Sequence, residues 1–240
     1  LGYKALLEDR YSFPPAHITT LLDEQATRDA ILSACDRLVQ AASAGDQVVI
    51  AYSGHGRRIA DPDGVEADHM HETFVPSDSG SGFYPNRDIR DDELLARIVA
   101  LTDKGALVTF FCDCCHSSAS LRDDFSASIR GVASDVRRTA STATPDQPAD
   151  IPSESERRGV SGPTLRRDRY VYVAACRDNE LATEHIQQSD AGPITHGALS
   201  FYLQRELLQC RSDEPMRAIV DRAFAQLTAD REAALREGLT

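Results

Sequence analysis

A chain of 240 residues with 41% hydrophobic content can bury a core large enough to fold without staples. Its net charge of -12 repels phosphate backbones, which argues against nucleic acid as a partner. The apolar runs are too short to span a bilayer, and no charged-then-apolar leader is visible, so the expectation is a cytoplasmic protein with no membrane partner. Ten carboxylates lie between Asp61 and Glu93, a patch that suits basic peptides or a hard metal ion.

In chain order, ITTLL (18–22) reads as a short strand. Residues 27–44 place Ile31, Ala34, Cys35, Leu38, Val39 and Ala42 at helical spacing, with Thr27 as the cap. QVVIAYS (47–53) is a β-branched apolar run of the kind that forms a buried parallel strand. ETFVPSD and FYPNRDI, joined through SGSG, predict a hairpin outside the main sheet. DDELLARIVAL (91–101) predicts a helix with acids in its first turn. ALVTFFC (106–112) and RYVYVAAC (169–176) predict two more buried strands.

HGALSFYLQRELLQC predicts a helix burying Leu199, Tyr202, Leu203 and Leu207. A last helix carries Met216, Ile219, Val220, Ala223, Phe224 and Leu227. Strands alternating with helices predict one α/β domain over 1–240 with a mainly parallel sheet. A flexible loop is expected at about 122–168, because Ile151 and Val160 are the only large aliphatic residues from Thr139 to Pro163.

Each buried strand ends in polar residues: SGHG with His55, then CDCCHS, then CRDNELATE. Ligands of open parallel sheets sit beyond the carboxyl ends of the strands, so these three ends should converge. A thiol and an imidazole brought together there are the minimum for a cysteine nucleophile. The glycines flanking His55 leave backbone N–H groups free to approach a ligand. Taken singly, each cysteine reads as core and His55 as structural; two such coincidences on neighbouring strand ends favour chemistry.

Cys112 belongs to the core, and strand alternation sends Cys114 and Cys115 to opposite faces. Adjacent cysteines bridge only with strain, so reduced thiols are expected. Zinc is the minor alternative: CDCCH and the His69 and His71 pair hold soft ligands, but without the separated pairs that wrap a tetrahedral ion.

VVIAYSGHG followed by DCCHSS resembles the caspase-like cysteine peptidases, in particular the metacaspases and their bacterial relatives. YVYVAACRDNELATE, HGALSFYL and the acidic stretch DPDGVEADHMHETFVPSD resemble further family segments. The resemblance implies a three-layer sandwich of the caspase-haemoglobinase type. It also implies a Cys-His dyad cleaving after Arg or Lys, in which the nucleophile is Cys115 and its partner His55. Gly56 and Cys115 would offer the oxyanion N–H groups. Asp113, Glu180 and Glu184 would line an acidic substrate pocket.

No cofactor is required by this chemistry. The family adds calcium, for which Asp91, Asp92 and Asp123 are the candidates, although Val65, His69 and His71 stand where relatives carry more Asp and Gly. Ser118 replaces the usual glycine after H-S. The opening LGYKALLEDRYSF resembles the segment after the family's first strand, so the chain reads as a fragment lacking that strand. The expected partners are proteins or peptides with basic residues. The rival reading is an inactive caspase-like scaffold.

Overall fold

A computed structural model of the chain describes residues 2–60, 70–80, 84–114, 165–175, 184–189 and 192–236. Three strands form a parallel sheet in the order β1-β5-β6: β1 is Gln47–Ser53, β5 is Leu107–Asp113 and β6 is Tyr170–Ala174. Side chains of β5 alternate between two cores, as the pleat requires. Val108, Phe110 and Cys112 face helices α2 (Arg28–Ala41) and α3 (Asp91–Asp103). Phe111 faces α1 (Gly2–Asp9), α4 (Ala198–Gln209) and α5 (Met216–Arg236), where Leu199, Leu203 and Ile219 are buried. The result is the expected α/β/α sandwich.

The helices begin and end where their sequences direct. Thr27 caps α2, its hydroxyl accepting from the Ala30 N–H at 3.3 Å. At the start of α3, Glu93 reaches back to the Arg90 N–H at 3.0 Å and also takes the Arg28 guanidinium from α2. Arg97 binds Asp36 at 2.8 and 3.3 Å, which ties the same two helices a second time.

A second, antiparallel sheet in the order β2-β3-β4 is built from Gly56–Ala60, Met70–Phe74 and Ile89–Arg90. Of the expected hairpin, an antiparallel β3–β4 pairing outside the main sheet is present, but it is shorter: residues 84–88 form no strand, and only Thr73 and Phe74 pair with Arg90 and Ile89. The strand β2 was not legible, because GRRIA alternates nothing apolar. Arg57 on β2 is buried and ion-paired to Asp88 at 3.4 Å. Thr73 and Ser79 hydroxyls contact the same carboxylate.

Three readings of the sequence are revised. No strand forms at 18–22; this segment lies between 3-10 turns at Pro15–His17 and Asp23–Gln25 and has no ladder partner among the described residues. β-Propensity expresses itself only where a neighbouring strand is available. The hairpin β7–β8 (Glu184–Ser189 and Gly192–Gly197) and helix α1 were not anticipated. Among the described residues, carboxylates of the acidic stretch are less available to outside cations than their charge suggests: Asp78 binds Arg87, Asp88 binds Arg57, Asp92 binds Arg90 and Glu93 binds Arg28. The loop expected at about 122–168 falls outside the described residues except for 165–168.

Candidate active site

His55 lies between β1 and β2 and is exposed. Its carbonyl accepts two hydrogen bonds, from the Val75 N–H at 3.0 Å and from the Tyr52 hydroxyl at 2.8 Å. The next residue, Gly56, is buried and opens β2 opposite Phe74. On the neighbouring strand, Asp113 is in register with Ser53, and its carbonyl accepts from the Gly54 N–H at 3.3 Å. The ends of β1 and β5 are thus joined by a backbone hydrogen bond directly before His55 on one side and the cysteine run on the other. Cys115 itself lies outside the described residues, as do Glu180 and Asp123.

Cys112 and Cys114 share one face of β5 and its extension, both buried, with their Sγ atoms 3.3 Å apart. The hydrogen bond between them lowers the Cys112 thiol's pKa against the opposing effect of burial. Cys114 is therefore core, the packed neighbour that the family resemblance implied.

Asp113 points to the opposite face and is buried against the start of α4. Its Oδ2 accepts from the Ser200 N–H at 2.7 Å. The residue at the helix N-cap is Gly197, which offers no side chain; Asp113 takes over from β5 the role a capping side chain usually fills. A Cβ at Gly197 would come within 2.0 Å of that oxygen, so only glycine lets the carboxylate approach. Burial, reinforced by the Asp113 charge, holds the nearby Tyr3 phenol above its ordinary pKa. Glu184 opens β7 opposite Gly197, which brings the backbone at 184 beside the same helix start. Asp113 and residue 184 are thus brought together.

Asp91 and Asp92 stand apart, in the first turn of α3. Asp92 is bound by Arg90 at 3.1 Å, and Asp91 Oδ1 accepts from the Asp92 N–H at 2.9 Å. Among the described residues no three His, Cys, Asp or Glu side chains gather as a metal would need. No helix among them is long and apolar enough to cross a membrane.

Tyr52 and the backbone at Gly197–Ser200 were not singled out from sequence. Tyr52 sits directly before SGHG, but its aromatic ring read only as part of an apolar strand.

A family model described as the metacaspase, peptidase C14 domain matches residues 3–123, half of the chain. The chain belongs to the metacaspase family. Similar proteins include Metacaspase-1 of Eremothecium gossypii, 33% identical over 135 residues, which are 54% of this chain and 29% of that protein. Metacaspase-1 of Arabidopsis thaliana is 35% identical over 122 residues, 48% of this chain and 32% of that one. Metacaspase-1 of Cryptococcus neoformans is 29% identical over 193 residues, 78% of this chain and 41% of its own length. The chain thus spans well under half the length of these relatives. Among solved structures, protein GSU0716 from Geobacter sulfurreducens superposes with a TM-score of 0.54 at 21% identity, over 90% of this chain and 76% of that one, a likeness of fold alone.

Proposed function

We propose that this metacaspase-family chain is a cysteine endopeptidase that cleaves after Arg or Lys. The observation that carries the reading is the Ser53–Asp113 register with its Gly54–Asp113 hydrogen bond, which sets the strand end bearing His55 beside the one leading into Cys115. The Cys115 thiolate attacks the scissile carbonyl carbon, and the resulting oxyanion is held by the N–H groups of Gly56 and Cys115. His55 gives its proton to the leaving amine as the C–N bond breaks. Water, deprotonated by His55, then hydrolyses the thioester and returns the thiol.

Preference for a basic residue is proposed to come from the charge at Asp113, with Glu180 and Glu184 as the further pocket acids. A carboxylate facing a guanidinium in a partly desolvated pocket discriminates strongly against neutral side chains. Calcium is a separate proposal resting on Asp91, Asp92 and Asp123. The described residues contribute two carboxylates, one of them already bound to Arg90, fewer than the six to eight oxygens calcium takes. Calorimetric binding of calcium, lost in the Asp91→Asn/Asp92→Asn double variant, would support it; absence of binding would remove it.

The peptidase reading is tested with a peptide acyloxymethyl ketone ending in Arg. Expected is one adduct on Cys115, absent in Cys115→Ala and strongly slowed in His55→Ala, since paired catalytic groups act as a unit. An adduct on another cysteine, or none, contradicts the reading.

A further inference from the structure

Tyr52 is the penultimate residue of β1. Its side chain starts in the core shared with α2 and α3, where its ring meets Phe74 edge-on with centroids 5.0 Å apart. From there the hydroxyl emerges at the top of the sheet. It lies 2.8 Å from the His55 carbonyl and 3.2 Å from the Val75 carbonyl, while the Val75 N–H donates back to His55 at 3.0 Å. One phenol therefore joins the end of β1, the residue before β2 and the residue after β3.

Space around it is tight. A Cβ on Gly54 would come within 2.8 Å of the Tyr52 hydroxyl and 2.9 Å of its ring. Glycine at 54 is what lets the phenol fold over the turn that presents His55. Burial holds the phenol above its ordinary pKa, so it remains a proton donor throughout the range in which a histidine titrates.

We propose that Tyr52 is a positioning residue for His55: its hydroxyl pins the His55 carbonyl and so fixes where the imidazole sits relative to the end of β5. This rests on the peptidase reading for its catalytic consequence. A residue on a two-glycine turn has a soft backbone, and two hydrogen bonds to one carbonyl remove that softness. Displacement of a catalytic group by about 1 Å can cost orders of magnitude in rate. The relevant loss is in kcat, because the hydroxyl is spent on the chain's own backbone and binds no substrate.

Tyr52→Phe tests this while retaining the ring and its packing on Phe74. Hydrogen exchange at the Val75 N–H should accelerate. The kcat for an Arg peptide should fall about tenfold with KM little changed. Alkylation of Cys115 by iodoacetamide at about pH 6, where the thiolate depends on His55, should slow by a similar factor. At about pH 10, where the thiolate forms unaided, the rate should match the unmodified chain. Gly54→Ala should reproduce the pattern by expelling the hydroxyl.

Unchanged Val75 exchange, or alkylation at about pH 6 within about twofold of the unmodified chain, overturns the proposal. Equal slowing at both pH values also overturns it, since that marks general damage. If the unmodified chain neither cleaves nor shows His55-dependent alkylation, the peptidase reading fails; the Val75 exchange then decides by itself whether Tyr52 holds the turn.

Discussion

Cys114 and Cys115 are chemically identical neighbours in the sequence, and the proposed function gives them different roles. Cys114 is 2% exposed and shares its contact with Cys112, so its thiol is committed to the core. Cys114→Ala should keep most peptidase activity and cost about 1 kcal/mol of stability through a small cavity. Cys115→Ala should fold normally and abolish turnover; the reverse pattern in a steady-state assay would shift the nucleophile by one residue. Asp113 anchors α4, and the proposed specificity would give it a second duty, a charge for the substrate pocket. Asp113→Asn should lower kcat/KM on Arg substrates by at least about tenfold. It should also cost about 1 kcal/mol in denaturant unfolding, because a neutral acceptor binds the helix N-terminus less strongly. Lost stability with unaltered kcat/KM would leave only the anchoring duty.

At the scale of elements, the small antiparallel sheet is held by charge inside rather than by apolar packing alone. Arg57 and Asp88 have side chains 2% and 0% exposed, and Arg57 also donates to the Gly80 carbonyl at 3.1 Å. Removing one partner leaves the other charge buried, so Asp88→Ala should cost about 3–5 kcal/mol in urea unfolding. A cost below about 1 kcal/mol would show that water reaches Arg57.

The hairpin β7–β8 docks through His185, stacked on Phe201 at 4.0 Å and facing His196, Arg205 and Asp230. Burial, aided by the positive fields of His196 and Arg205 and opposed by Asp230, lowers the His185 pKa. The unfolded state then binds the proton more readily. This contribution to stability is complete above the unfolded value of about 6.5 and fades as pH falls below it. The melting temperature should drop between about pH 7 and pH 5, less steeply in His185→Gln. Parallel pH profiles for the two chains would assign the effect elsewhere.

Across the whole molecule, the parallel sheet is the partition between two cores, and β5 is its middle strand among the described residues. Its pairing with β6 runs from Val108–Tyr170 to Cys112–Ala174, so any cut between these strands leaves both pieces paired. Residues 115–164 join them in sequence and contain Arg137-Arg138 and Arg157-Arg158, with Arg166-Arg167 just beyond. An enzyme preferring basic residues meets these sites at high effective concentration. Self-cleavage after Arg138 or Arg158 is the expected outcome, read by mass spectrometry of the purified chain beside its Cys115→Ala form. An intact chain in both, with a small Arg substrate still cleaved, would rule it out.

The amino-acid sequence determined the three parallel strands, the helices α2 to α5 and the family to which the chain belongs. Long apolar runs and 3.6-residue periods are local signals that burial on either face of a sheet reinforces, and SGHG and DCCHSS are contiguous. What the tertiary structure decided was pairing. Thr19 and Leu22 had the composition of a strand but no neighbour to hydrogen-bond among the described residues, whereas Arg57 had the composition of a surface residue and found Asp88 in the interior. Asp113 met the bare N-terminus of a helix 87 positions away, and the Tyr52 hydroxyl met the carbonyl of His55 by folding back over a glycine. A local pattern records how much of a side chain wants to leave water; which polar group will answer it depends on chain segments that only folding brings together.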